Sequence, residues 1–169
     1  WANNIMIDDL DAGKNNYEYN AFGELTRQVD ASANEFTMEY NELGQLTLKT
    51  ENPTGLIVTT SYKYKLWGNA GANNLESQTK SDGYSIEYKY DDNSSGVNGA
   101  HVGDLYECTK SDGSVSLTTQ YSYDMYGRVE FKTFPSPNFT NQLQIKNIYN
   151  NIGNLIEIDD FSAQPATIL

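Results

Sequence analysis

One cysteine (Cys108), one histidine (His101) and four prolines are all that the 169 residues contain of the residue types that most often staple, catalyse or interrupt a fold. A lone thiol cannot close an internal disulfide, and one His with one Cys cannot build a conventional zinc site without carboxylates. Basic residues are also scarce. Eleven Lys+Arg stand against 23 Asp+Glu, a net charge of −12 and a pI of about 4.3, which opposes phosphate-backbone binding and makes nucleic acid an unfit partner. No apolar run approaches the roughly 18 residues that a membrane-spanning helix needs. The opening Trp1-Ala2-Asn3-Asn4 has neither a basic segment nor a hydrophobic signal core. With 38% hydrophobic and 20% charged residues, the chain is too apolar and too aromatic for a disordered acidic tail, and a soluble, folded piece is expected.

Order carries more than content. Tyrosine occurs 13 times, mostly in one frame, Tyr-x-Tyr-(Asp/Asn)-x-x-Gly-x-(Leu/Val). Its clearest copies place Tyr17, Tyr19, Asn20, Gly23 and Leu25, then Tyr121, Tyr123, Asp124, Gly127 and Val129. Two more lack the first tyrosine: Tyr40, Asn41, Gly44 and Leu46, and Tyr149, Asn150, Gly153 and Leu155. Two are stretched. Tyr62, Tyr64 and Gly68 reach Leu75 only after an insertion, and Tyr88, Tyr90 and Asp91 reach Gly103-Asp104-Leu105 after a longer one. The second tyrosine falls at 19, 40, 64, 90, 123 and 149, a period within the range of repeat architectures.

Each part of the frame suits a β-hairpin. Asp or Asn at the turn's first position bonds its side chain to the backbone two residues on, and Gly three later accepts the positive φ of a type I turn with a bulge. Parity predicts the strands, because residues two apart share a face. Phe36, Met38 and Tyr40, continued by Leu46 and Leu48, are expected opposite Thr37, Glu39 and Thr47. Val115, Leu117, Tyr121 and Tyr123, continued by Val129 and Phe131, are expected opposite Ser116, Thr118, Gln120 and Ser122. Tyr84, Ile86, Tyr88 and Tyr90 alternate with Ser85, Glu87 and Lys89. Return turns fall at Asp82-Gly83 and Asp112-Gly113, with Asp11-Ala12-Gly13 and Asp30-Ala31-Ser32 as looser versions. Insertions concentrate in 69–74 and 92–102, where exposed loops are expected. The expectation is an all-β chain without helix, residues 1–169 forming one array of consecutive antiparallel hairpins.

As a repeated pattern this frame resembles the YD-repeat, or RHS (rearrangement hot spot), family over about Tyr17 to Ile158. The resemblance implies long secreted or cell-surface proteins, among them bacterial RHS polymorphic toxins, C components of insecticidal toxin complexes and teneurin-like proteins. Their hairpins wind as a curved or spiral single sheet into a shell, and in the toxins the shell encloses a C-terminal cargo. The closing core of such shells resembles a Pro-rich segment ending in Asp-Pro-x-Gly-Leu, and no Asp-Pro pair occurs here. The chain therefore resembles an internal segment of about six repeats, whose partners would be the flanking repeats of a parent chain and a toxin cargo.

Candidate chemistry is thin. His101 sits in a Gly/Asn/Ser-rich insertion with no Ser or Cys nucleophile motif nearby, and reads as a loop histidine. Cys108 follows Tyr106 and Glu107 in a strand, where free Cys acts as a small hydrophobe. Asp91, Asp92, Asn93 and Ser95 before Gly96 faintly resemble a calcium loop, but Val102 stands where a bidentate Glu belongs. Two glycosylation sequons, at Asn93 and Asn138, are short and common. Lys63, Lys65, Lys80 and Lys89 are scattered singly, as on solvated faces. The tyrosines suit cross-strand ladders, and equally the binding of sugars or peptides. No catalytic, cofactor or metal residues are assigned. The leading expectation is a non-enzymatic wall segment. The alternative is an extracellular recognition module binding glycan or protein through loop aromatics such as Trp67 and Tyr126.

Overall fold

A computed structural model describes residues 3–9, 13–66, 72–92, 101–136 and 142–161. Among the described residues thirteen strands form one antiparallel sheet in which spatial order follows chain order. They are β1 (Asn3–Asp9), β2 (Gly13–Tyr19), β3 (Leu25–Val29), β4 (Glu35–Tyr40), β5 (Leu46–Asn52), β6 (Val58–Tyr64) and β7 (Leu75–Lys80), followed by β8 (Ser85–Tyr90), β9 (Leu105–Ser111), β10 (Ser116–Tyr123), β11 (Val129–Thr133), β12 (Gln144–Tyr149) and β13 (Leu155–Asp160). Among the described residues the one helical element is a single 3-10 turn, Pro53–Gly55, between β5 and β6. Proline, which lacks an N–H and has its φ fixed, begins that turn where a ladder donor is not required. The chain divides into two compact units, one of residues 1–63 and 78–84 and the other of 64–77 and 85–169.

In the first unit, the β2–β3 hairpin pairs Tyr19 with Leu25, Glu18 with Arg27 and Tyr17 with Gln28. The β4–β5 hairpin pairs Tyr40 with Leu46, Glu39 with Leu48 and Met38 with Lys49. In the second unit Tyr90 pairs with Leu105, Tyr123 with Val129 and Tyr149 with Leu155. Every one of these hairpins has a register shift beside its last tyrosine. One extra residue on the outgoing strand, as at Thr26 and Thr47, makes a β-bulge.

The bulge corrects the expected parity. Because opposed residues share a face and the extra residue advances the outgoing strand by one, Leu46 stays on the Tyr40 face but Leu48 falls opposite Glu39 on the other. Lys49 takes the place beside Met38. Phe131 likewise lies opposite Ser122, on the face away from Tyr121 and Tyr123, and Lys132 stands opposite Tyr121 instead. Lys132 Nζ lies 5.7 Å from the Tyr121 ring centroid and Lys49 Nζ 5.5 Å from that of Phe36. The displaced lysines thus cover aromatic rings with their stems.

A single layer leaves little interior. Among the described residues only Thr60, Asp91 and Cys108 are buried, and β2, β3 and β5 are half-buried along almost their whole length rather than alternating. With no second layer packed on either face of these strands among the described residues, hydrophobic alternation does not become alternation of burial. The β3–β4 connection departs from a loose return turn. Asp30 N–H donates to Asn34 O (3.0 Å), Ala33 N–H donates to Asp30 O (3.0 Å), and Asp30 Oδ1 accepts from Ser32 N and Asn34 N (both 2.9 Å). This is the closure of the tyrosine-frame turns, with Ala33 at φ +62° where those turns have glycine.

Left-handed backbone is costly for a residue bearing Cβ. Ala33→Gly should therefore raise the urea-unfolding stability by about 0.5–1 kcal/mol. Gly44, at φ +73°, would place a new Cβ 2.9 Å from Glu24 Oε1, so Gly44→Ala should lower stability by at least about 1 kcal/mol in the same measurement.

Candidate functional site

The tyrosine frame is the recurring polar constellation of the chain, and its parts divide into a turn and a clasp. In the turn, Asn20 N–H donates to Glu24 O (2.9 Å), Gly23 N–H to Asn20 O (3.1 Å), and Asn20 Oδ1 accepts from Phe22 N and Glu24 N (both 3.0 Å). Asn41, Asp124 and Asn150 repeat all four contacts with Gly44, Gly127 and Gly153. An Asx side chain here replaces two turn bonds that the backbone alone would leave open. The positive φ of the three glycines, +73°, +75° and +89°, admits the closure without strain.

The stretched copies keep the closure across longer loops. Asp91 N–H donates to Asp104 O (2.9 Å) and Gly103 N–H to Asp91 O (2.8 Å). Gly68, like Trp67, lies outside the described residues. In that repeat Lys65 N–H donates to Asn74 O (2.9 Å), and Asn73, at φ +68°, donates to Lys65 O (3.0 Å). Asn73 therefore takes the position that glycine holds elsewhere, which asparagine tolerates because its short polar side chain suits the left-handed region.

The clasp involves the second tyrosine, the last residue of its strand at Tyr19, Tyr40, Tyr64, Tyr90, Tyr123 and Tyr149. Leu25, Leu46, Leu75, Leu105, Val129 and Leu155 each begin the next strand. The Tyr40 hydroxyl donates to Leu25 O, Tyr90 to Leu75 O and Tyr149 to Val129 O, each at 2.9 Å, and Tyr123 donates to Leu105 O. In every case the acceptor belongs to the preceding repeat. Its position has a cause in the register. The β3–β4 ladder runs only from Val29↔Glu35 to Arg27↔Thr37, β9–β10 stops at Glu107↔Gln120, and β11–β12 stops at Phe131↔Lys146. Each ladder between successive hairpins ends before the first residue of the earlier strand. The carbonyl there would go unpaired, and the phenol satisfies it. The first tyrosines, Tyr17, Tyr62, Tyr88 and Tyr121, stand two residues earlier on the same face.

Sequence reading missed the bulge threonines and the cross-strand acid–base groups. Thr26 Oγ1 donates to Glu18 O and Thr47 Oγ1 to Glu39 O, both at 3.1 Å, tying each bulge to the incoming strand. A Thr directly after the frame's Leu, in Leu25-Thr26 and Leu46-Thr47, was the available signal. Arg27 bridges Glu18 and Glu35 at 2.6 and 2.5 Å, and both partners raise its pKa. Arg128 lies 2.5 Å from Asp124 and stacks on Tyr149 and Tyr126 with ring distances of 4.3 and 4.9 Å. Burial acts to raise the Asp124 pKa, but the Arg128 and backbone hydrogen bonds prevail and hold it below the ordinary carboxylate value.

Cys108 is buried, and desolvation pushes its thiol pKa up, which disfavours the reactive thiolate. His101 is exposed, with Nδ1 3.5 Å from Asp104 Oδ2, and its ring sits against Gly127. Residues 93–100 of the calcium-like loop and both sequon asparagines, Asn93 and Asn138, lie outside the described residues. Among the described residues no group of three His, Cys, Asp or Glu is placed to hold a metal ion. No described helix is long and apolar enough to cross a membrane.

The RHS Repeat family model matches residues 19–57, the stretch holding the turns at Asn20 and Asn41 and the Tyr40–Leu25 clasp. No curated protein matches the chain. Similar solved structures include one described as TcdB2-TccC3-Cdc42, at 13% identity and a TM-score of 0.29, and one described as TcdB2-TccC3-TEV, at 13% and 0.28. Each match covers 94% of this chain and 12% of the other, so the chain spans about an eighth of the length of those it resembles.

Removing the Tyr40 hydroxyl takes away the donor to Leu25 O, so Tyr40→Phe should cost about 0.5–1.5 kcal/mol in urea unfolding, and Tyr149→Phe should cost less, because Asn147 still donates to Val129 O. Burial first, then Asp104 and Tyr121, push the Tyr123 pKa from 10.0 up to about 12. The fold thus favours the neutral phenol. Its contribution is complete below pH 10 and is lost as pH rises from there to about 12. A stability profile measured over that window should fall, and Tyr123→Phe should flatten the fall.

Proposed function

We propose that the chain is a non-catalytic length of RHS-repeat wall in a secreted or cell-surface bacterial protein, and that its work is to enclose or present a cargo carried in the same parent chain. The observation that carries this is the clasp. The Tyr40, Tyr90, Tyr123 and Tyr149 hydroxyls each fasten a hairpin to its predecessor, as a barrier built from repeated ribbons requires. Such a sheet resists proteases because its strands offer no extended, unpaired backbone. In the first unit, the face opposite Tyr17, Tyr19 and Tyr40 carries Asp8, Glu18, Glu35 and Glu39 against Lys14, Arg27 and Lys63. In the second, the corresponding face carries Glu87, Glu107, Glu157 and Asp159 against Lys89 and Lys146. An acidic outer face of this kind keeps a large assembly soluble, while the tyrosine face would be turned toward the cargo.

A second reading, recognition of glycan or protein, draws support from the turn tips, where Phe22 is 89% and Tyr126 72% exposed. Glycan-array binding that disappears in Phe22→Ser or Tyr126→Ala and persists in Tyr40→Phe would favour it over the wall.

Limited proteolysis tests the wall directly. Cleavage should concentrate in the connections at 65–74, 91–104 and 134–143 and spare the strands. Cutting within β4, β5, β9 or β10 at loop-like rates would sink the reading.

A further inference from the structure

The turn ends of successive hairpins bound a groove, and the groove occurs in both units with opposite contents. In the second unit it lies between the turns at Asp124 and Asn150 and is lined by Tyr126, Arg128, Tyr149 and Gly153, among others. Arg128 fills it from within. Its guanidinium pairs with Asp124 at 2.5 Å and lies 4.9 Å from the Tyr126 ring centroid and 4.3 Å from that of Tyr149, with Nη1 3.7 Å from where a Cβ on Gly153 would stand. In the first unit the groove lies between the turns at Asn20 and Asn41. It has a volume of 760 Å³, and its lining includes Phe22, Glu24, Met38, Tyr40, Leu43 and Gly44. In the repeat frame Phe22 corresponds to Tyr126, Tyr40 to Tyr149 and Gly44 to Gly153. Glu24 corresponds to Arg128, and its Oε1 likewise reaches across to the next turn, 2.9 Å from where a Gly44 Cβ would stand. The aromatic positions are kept, and a carboxylate has replaced the cation.

We propose that the first-unit groove binds an arginine side chain of a partner protein, whose guanidinium takes the place beside Phe22 and Tyr40 that Arg128 takes beside Tyr126 and Tyr149, and pairs with Glu24. Charge complementarity supports this. Glu24, Glu39 and Glu42 line the groove. Every lysine and arginine of the chain lies among the described residues, and none of them lines it. The two arginines, Arg27 and Arg128, are already ion-paired, so the chain has no guanidinium of its own to place there. Glu24 accepts from Asn20 Nδ2 at 2.5 Å, a neutral donor that leaves its charge uncompensated, where the second unit has Asp124 to neutralise Arg128. The apolar wall suits the arginine stem, with Phe22 89% and Leu43 68% exposed. The volume falls within the roughly 300–1,000 Å³ of ligand sites. Arginine fits better than lysine, because a planar guanidinium both stacks on aromatic faces and meets a carboxylate with two donors. The proposal goes beyond the wall reading and does not rest on it.

The test titrates the full chain, isotope-labelled for amide NMR, with the blocked peptide acetyl-Gly-Arg-Gly-amide. Shifts should move saturably over 20–26 and 38–45, the segments that line the groove. The lysine peptide should bind more weakly. The citrulline peptide, which keeps the planar shape without the charge, should not bind. Glu24→Gln retains an oxygen for Asn20 and should weaken binding about two- to fivefold. Asn20→Asp combined with Glu24→Arg rebuilds the second-unit groove and should abolish binding while strand shifts persist. Four results would overturn the proposal: no saturable shift, equal binding of the citrulline peptide, shifts confined to other segments, or undiminished binding by Glu24→Gln. None of them bears on the wall reading, which proteolysis of the strands decides separately.

Discussion

The structure depends on a leftover backbone carbonyl that recurs from repeat to repeat, at Leu25, Leu75, Leu105 and Val129. Hairpins closed by a bulged turn splay from their predecessors at the turn end, so the ladder between hairpins stops before the first residue of the earlier strand. A carbonyl that has lost water and found no partner costs about 1–3 kcal/mol. A tyrosine at the last position of the next strand reaches it with a hydroxyl while its ring covers the gap. That requirement accounts for the second tyrosine at Tyr40, Tyr90, Tyr123 and Tyr149, where the first position is not always tyrosine. The first position asks only for an apolar side chain on the right face, which Met38 supplies, or for a side chain with an amide, which Asn147 supplies by donating to the same Val129 carbonyl as Tyr149 at 2.9 Å.

Stability in such a chain is assembled from nearest-neighbour terms. With only Thr60, Asp91 and Cys108 buried among the described residues, no central core exists to fail all at once. Each hairpin gains from its own turn, its own bulge and its contacts with the hairpins on either side, as in other repeat proteins. The paired lysines and arginine serve the same economy. Arg27 between Glu18 and Glu35, Lys89 against Glu107 and Arg128 on Asp124 each join neighbouring strands or turn positions. Exposed pairs of this kind contribute little singly, but Arg27 and Lys89 stand on the face where Glu18 and Glu35, and Glu87 and Glu107, would otherwise lie near one another unpaired.

The strands, the turns and the order of pairing were legible because the frame fixes them locally. Asn20 to Leu25 contains everything its closure uses. What escaped reading is whatever requires two segments at once. The bulge moves Leu48 and Phe131 to the opposite face, and parity within a single strand cannot reveal a residue that the partner strand skips. Ala33 closes a full turn without glycine because Asp30 and Asn34 together supply the side-chain bonds, including Asn34 Nδ2 to Asp30 Oδ2 at 2.8 Å. The clasp was the least accessible. Tyr40 was recognisable as a frame residue, but its acceptor lies fifteen positions back and is a carbonyl, which has no residue type to read.

The frame also separates the parts that must be constant from those free to vary. Asn20 and Glu24 close a five-residue turn, and Asp91 and Asp104 make the same closing bond around a fourteen-residue loop, with Tyr90 still paired to Leu105 as Tyr19 is to Leu25. Lengthening a flexible loop by that factor costs only about 1 kcal/mol of closure entropy, less than the hydrogen bonds at the loop's two ends provide together. Insertions can therefore accumulate between the Asx residue and the glycine without disturbing the sheet. Diversity in such a protein belongs in those loops, and the face-to-face regularity of the strands can persist beneath it.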